Sequence, residues 1–375
     1  MRDCSGRKRG CGLFDSLFFL SSKHVCRAEL PHLYHTMSLL DQEILLLDGG
    51  LGTTLEDEYG IHFDSSTSLW SAHLLVADPD TLEKAQQKFV EAGADILLTP
   101  TYQASYEGFV RTTINGESID FFEEICQYLD LGIDISRHAF NSRKGLVALS
   151  LGAYGATMIP SQEFSGQYGN MNEQSLEDWH CERIAMYWAS YDKVDLVAYE
   201  TIPRLDELRA VRTAANVNRH GNVYKPYWVS CVFPNQDDKL PDGSTIRDIM
   251  QVLFEEKEWT DGVPVRTPWG IGINCTKVQK LSGLIEKFEL AASDMGVQLP
   301  RLVIYPNGAN GQVYDSKTQT WVGDKSDEGE WVGEVWQVVE EVRSRQKWSG
   351  IVVGGCCKTT AKDIAALRQR IDALQ

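Results

Sequence analysis

Leu196-Val197-Ala198-Tyr199-Glu200-Thr201-Ile202-Pro203 is a short apolar run that ends in a carboxylate and then a proline. A continuous apolar run leaves no face for water, so it suits a strand buried on both sides, as in a parallel sheet. Seven more runs share this character: Ile44–Asp48, Ile96–Pro100, Leu146–Leu151, Tyr227–Phe233, Gly270–Cys275, Leu302–Pro306 and Ile351–Gly354. Amphipathic stretches with a helical period lie between and after them: Asp80–Ala92, Ser118–Phe140, Ser175–Ser190, Leu205–Asn216, Thr245–Glu255, Val278–Met295, Trp331–Arg345 and Ala361–Leu374. Asp78-Pro79-Asp80 reads as a helix start, with proline in the first turn. Eight strand–helix units predict a (β/α)8 barrel of the TIM type, with long βα loops at its C-terminal face. A doubly wound sheet is the alternative, but eight regular units fit closure better. In such a barrel the chemistry gathers at the C-terminal ends of the strands.

Composition narrows the function. The chain has 375 residues, 43% hydrophobic and 24% charged, enough apolar material for a large core. Its formal charge of −17 repels phosphate backbones and anionic bilayers, which argues against nucleic-acid and membrane-surface partners. No apolar run approaches the ~18 residues of a membrane-spanning helix. Nine cysteines at irregular spacing point to reduced thiols in the cytoplasm rather than a disulfide framework. Residues 1–36 differ from the rest. Six basic residues (Arg2, Arg7, Lys8, Arg9, Lys23, Arg27) face three acidic ones (Asp3, Asp15, Glu29). They read as a disordered extension, a start upstream of Met37, or a mitochondrial targeting segment. The barrel is assigned to residues 37–375.

The residues that close each run are the candidates for function. The first run ends in Asp48-Gly49-Gly50-Leu51-Gly52, a carboxylate followed by glycines that permit close backbone approach to a ligand. Asp48 reads equally as a helix cap. The fourth run ends in Glu200, which suits an ammonium group or a charge at a helix N-terminus. The sixth ends in Cys275, and the eighth runs into Gly354-Gly355-Cys356-Cys357. Three thiolates converging at a barrel mouth offer soft ligands for zinc with one position left open. Buried inert cysteines, a vicinal disulfide and a structural metal site remain alternatives. Trp70, in the long first βα connection, offers either a cation–π wall or a packing anchor. The connections Gly152–Asn172 and Asn307–Glu330 are long enough to form walls or lids.

These residues resemble the zinc-dependent homocysteine S-methyltransferases. The matching stretches run in order: DGGLGTTLE (48–56), LWSA (69–72), QAS (103–105), GAYGA (152–156), EFSGQY (163–168), YETIP (199–203), GINCT (272–276), YPN (305–307), QVYD (312–315) and GGCCKTT (354–360). The resemblance implies that Cys275, Cys356 and Cys357 bind zinc and that the homocysteine sulfur takes the fourth site. It implies that Asp48 and Glu200 hold the amino-acid end of homocysteine, and it favours Trp70 as a wall of the donor site. LWSA resembles the branch that uses S-methylmethionine or S-adenosylmethionine rather than betaine. Cobalamin and folate users carry further domains, for which this chain has no room. The segment Gly308–Gln312 departs from the family's short Ser-Gly-Glu, which bears on donor preference. The expected function is methyl transfer from a sulfonium to homocysteine, giving methionine, by a monomer or weak homo-oligomer. The alternatives are a betaine-dependent homocysteine methyltransferase and a non-catalytic zinc or thiol-redox protein on the same barrel.

Overall fold

The computed structural model describes residues 39–374, apart from 65–66, 115, 218–223, 259–263, 309–311, 316–319 and 324–329. The extension expected at 1–36 and the middle of the altered segment, Ala309–Gly311, therefore lie outside the described residues. Eight parallel strands form one sheet: β1 (Ile44–Leu46), β2 (Ile96–Leu98), β3 (Leu146–Gly152), β4 (Leu196–Ile202), β5 (Tyr227–Cys231), β6 (Gly270–Lys277), β7 (Arg301–Asn307) and β8 (Ile351–Val353). Their order is β1-β8-β7-β6-β5-β4-β3-β2. The two ends of that order meet. Leu47 bridges Ile96 in parallel, the Asp95 amide donates to the Leu46 carbonyl at 2.7 Å, and the Asp48 amide donates to the Ile96 carbonyl at 3.2 Å. The sheet is a TIM-type barrel, as the eight runs predict.

Eight helices pack outside it: α1 (Pro79–Glu91), α2 (Phe122–Ala139), α3 (Glu173–Ala185), α4 (Leu205–Val217), α5 (Ile246–Phe254), α6 (Leu281–Met295), α7 (Glu330–Arg345) and α8 (Ala361–Asp372). Alternation along the strands explains why the runs are apolar throughout. Leu45, Leu47, Ala148, Ala198, Val303 and Val352 point into the barrel. Their neighbours Leu46, Val147, Val197, Leu302 and Val353 join the layer between sheet and helices. Both sets are buried, so no position on these strands tolerates a charge except at their ends.

Two strand ends are irregular. The register of β4 against β5 shifts between Tyr199 and Ile202, and that of β6 against β7 between Asn274 and Lys277. Thr201 and Cys275 sit at these shifts with φ of 60° and 47°. Left-handed backbone costs about 1–3 kcal/mol at a residue with a side chain, and most at a β-branched one such as Thr201. Such bulges re-aim side chains next to functional sites.

Sheet packing is tightest beside one of them. A Cβ on Gly272 would lie 1.8 Å from the Val303 carbonyl oxygen. Gly272→Ala should therefore cost roughly 3 kcal/mol or more, because the clash is with backbone rather than a flexible side chain. Urea unfolding checks this, and an unchanged midpoint would mean that β6 and β7 do not approach so closely.

Candidate active site

The C-terminal mouth of the barrel opens into a cavity of about 660 Å³. Asp48, Trp70, Glu200, Cys275, Cys356 and Cys357 all line it. The six residues singled out in the sequence thus share one wall-to-wall space.

The three sulfurs lie within 4.8 Å of one another. Cys275 is aimed by the bulge at the end of β6. Asn274 donates from Nδ2 to the Cys275 sulfur at 3.3 Å, and Thr201 donates from Oγ1 at 3.8 Å. Donors of this kind favour a charged sulfur. Cys356 and Cys357 sit on the turn after β8, which is pinned from both sides. The Cys356 amide donates to the Pro306 carbonyl at 2.9 Å, the Gly308 amide to the Cys357 carbonyl at 2.8 Å, and the Lys358 amide to Thr53 Oγ1 at 2.8 Å. The Cys275 and Cys356 sulfurs meet across the mouth, with their Cα atoms 5.6 Å apart. The Cys356 and Cys357 sulfurs are 3.9 Å apart. Burial pushes the Cys357 thiol up to about 12, helped by the charges of Glu163 and Glu56.

Gly50, which also lines the cavity, and Gly354 bring the first and eighth loops together. A Cβ on Gly50 would fall 2.5 Å from the Cys356 carbonyl oxygen, and one on Gly354 would fall 2.7 Å from the Asp48 carbonyl oxygen. Their job is to let the first and eighth loops lie against each other, which fixes Asp48 beside the cysteines.

Two carboxylates face the same cavity. Asp48 is 2% exposed, and its Oδ2 accepts from the Leu98 amide at 2.8 Å. Its Oδ1 is buried with no hydrogen-bond donor. Asp48 is not a helix cap, since the Leu51–Tyr59 helix begins at Gly50 without a side-chain cap. Glu200 is 4% exposed and accepts from Ser150 Oγ at 2.5 Å. It lies inside β4 rather than at the start of α4, where Asp206 and Glu207 stand. Burial raises the Glu200 carboxyl to about 7 and the Asp48 carboxyl well above the usual range, where the Glu200 charge adds to the effect. Two buried carboxyls raised mainly by desolvation suit a cationic ligand.

The sequence pattern of the homocysteine S-methyltransferase family matches residues 45–371. The chain belongs to that family. It is 30% identical over 339 residues to homocysteine S-methyltransferase 1 of Arabidopsis thaliana, covering 86% of this chain and 91% of the relative. Among solved structures it resembles the homocysteine methyltransferase MmuM from Escherichia coli in its metallated form, with 25% identity and a TM-score of 0.65. That match covers 89% of this chain and 98% of the other. The oxidised form of the same protein matches with 26% identity and a TM-score of 0.65, covering 89% and 99%. This chain is a methyltransferase enzyme on a TIM barrel.

Several residues of this homocysteine S-methyltransferase site carry no signal of their own in the sequence. Tyr305 Oη lies 2.5 Å from Ser230 Oγ and accepts from Trp228 Nε1 at 3.3 Å, and its hydroxyl also lies against Glu200. Tyr102 and Glu163 line the cavity beside Met158 and Phe164. Burial raises the Glu163 carboxyl to about 7. Arg183 is buried and donates to the carbonyls of Thr101, Tyr102, Ala104 and Gly152, which holds the loops after β2 and β3 together. Trp70 is both wall and anchor. It lines the cavity, yet its ring sits 5.3 Å from that of Phe63 and would meet a Cβ on Gly52 at 2.7 Å. Gln312, at the end of the altered seventh loop, also lines the cavity. No helix among the described residues is long and apolar enough to cross a membrane.

Proposed function

We propose that this enzyme activates homocysteine as a zinc-bound thiolate and methylates it from a sulfonium donor, S-methylmethionine or S-adenosylmethionine, to give methionine. One observation carries the reading: three convergent cysteines and two buried carboxyls share a single cavity. The cysteines answer the thiol of the acceptor and the carboxyls answer its ammonium group. A thiol with a pKa around 8.5 is only a few per cent ionised at neutral pH, so unaided homocysteine is a poor nucleophile.

The residues present fit zinc. Three cysteine sulfurs are its preferred soft donors, and a three-ligand set leaves one position for a substrate sulfur. Cys275, Cys356 and Cys357 would hold the ion, with Asn274 and Thr201 hydrogen-bonded to the first of them. When bound, zinc supplies the charge that keeps a coordinating thiol deprotonated at neutral pH. Asp48 and Glu200 fix the acceptor's ammonium group, and with it the aim of its sulfur. Trp70 supplies an aromatic wall beside the incoming donor. The donor's positive charge is lost on transfer, so a cavity that excludes water helps the transition state relative to the solvated cation.

Zinc uptake needs all three thiols reduced, so a reducing compartment such as the cytoplasm suits the enzyme. A mitochondrial site follows if residues 1–36 are a targeting segment. We propose a monomer or weak homo-oligomer.

Methionine formation by reduced, zinc-loaded protein tests the proposal, with homocysteine and, in parallel, S-methylmethionine, S-adenosylmethionine and betaine. Turnover with a sulfonium and none with betaine is expected. Turnover with betaine alone would replace the donor. No turnover despite one bound zinc per chain would overturn the reading.

A further inference from the structure

Glu163 is a third buried carboxyl in the cavity, and the acceptor does not need it. It lies on the loop between β3 and α3, is 7% exposed and lines the cavity next to Phe164. Ser161 and its own backbone amide lie against the carboxyl, but Oε2 is buried with no hydrogen-bond donor. An uncompensated buried carboxyl is costly and persists where a ligand completes it. Its charge is felt at the Cys357 thiol and at the Tyr102 hydroxyl, which the Glu200 charge also reaches. The cavity, about 660 Å³, is larger than one small amino acid requires.

The chemistry of the donor says which of its charges this carboxylate serves. A sulfonium donor built on the methionine skeleton carries two cations, separated by three carbons. The sulfonium becomes neutral as the methyl leaves. A carboxylate against it would stabilise the ground state more than the transition state and slow the reaction. The ammonium group keeps its charge throughout. A carboxylate there lowers KM without raising the barrier. We propose that Glu163 binds the α-ammonium group of the methyl donor, apart from the Asp48–Glu200 pair that binds the acceptor. This rests on the amino-acid sulfonium donor proposed above. It makes the enzyme selective for donors with a free amino group.

The test is steady-state kinetics on reduced, zinc-loaded enzyme. Glu163→Gln should raise the KM for S-methylmethionine about 10–100-fold, with kcat within about threefold, because a charge-assisted contact is lost in both states alike. The KM for homocysteine and the zinc content should not move. A second arm needs no variant. The deaminated analogue 4-(dimethylsulfonio)butanoate should inhibit the parent enzyme about 10-fold or more weakly than S-methylmethionine binds, and Glu163→Gln should erase that difference. An unchanged donor KM, a raised homocysteine KM, or an analogue that binds the parent as tightly as S-methylmethionine would each overturn the assignment. A parent enzyme that forms no methionine from any sulfonium would instead sink the donor reading, and this proposal with it.

Discussion

Replacing Cys275, Cys356 or Cys357 singly with serine is expected to remove bound zinc and cut methyl transfer by about 10³-fold or more, while the barrel stays folded. Serine cannot ionise near neutral pH, and two remaining thiolates do not make a three-ligand site. The fold should survive because the cysteines cap the barrel rather than fill it. The interior is closed below them by Leu45, Leu47, Ala148, Ala198, Val303 and Val352. Metal analysis, methionine formation and circular dichroism on the same samples check all three parts. Full activity in any of the three variants would sink the metal-site assignment.

The barrel was legible because its strands obey a simple rule. A parallel strand buried on both faces must be apolar at every position, and Leu196–Tyr199 or Ile351–Val353 cannot be much else. Where a run stopped, a charged or sulfur-bearing residue stood at the mouth, so Asp48, Glu200 and Cys275 followed from the same rule. What stayed hidden depends on contacts between distant loops. The Leu51–Tyr59 helix starts in a glycine-rich stretch without a side-chain cap, so no start signal marks it. Left-handed backbone at Trp70, Thr201, Cys275 and Lys358 places side chains at the site against local preference. Glu163 lies inside the quoted stretch EFSGQY. Nothing in that stretch says that packing of its loop will bury one acid and leave Gln162 and Gln167 nearer to solvent.

Asp48→Asn and Glu200→Gln should each lower kcat/KM for homocysteine by about 10²–10³-fold with zinc retained, and should make the ligand-free protein more stable. The two effects share one cause. Both carboxyls are held above their ordinary range by burial, so the native state binds more protons than the unfolded chain between the unfolded pKa and the folded one. For Glu200 that window runs from the ordinary 4.5 up to about 7. Stability of the ligand-free protein therefore falls as pH rises through this window. Glu200→Gln removes that loss and should stabilise the protein by roughly 1–3 kcal/mol at pH 8. The same change deprives the substrate ammonium of a charged partner, so the homocysteine KM rises. In the parent enzyme the KM for homocysteine should fall as pH goes from 6 to 8, because the carboxyl must ionise to accept the ammonium group. In Glu200→Gln that part of the pH dependence should vanish. Urea unfolding at pH 5 and pH 8, with homocysteine titrations at each pH, separates the outcomes. A variant less stable at pH 8 with an unchanged homocysteine KM would make Glu200 a strut for Ser150 and Tyr305. A variant more stable and less able to bind homocysteine places a deliberate, uncompensated charge where the substrate's ammonium completes it.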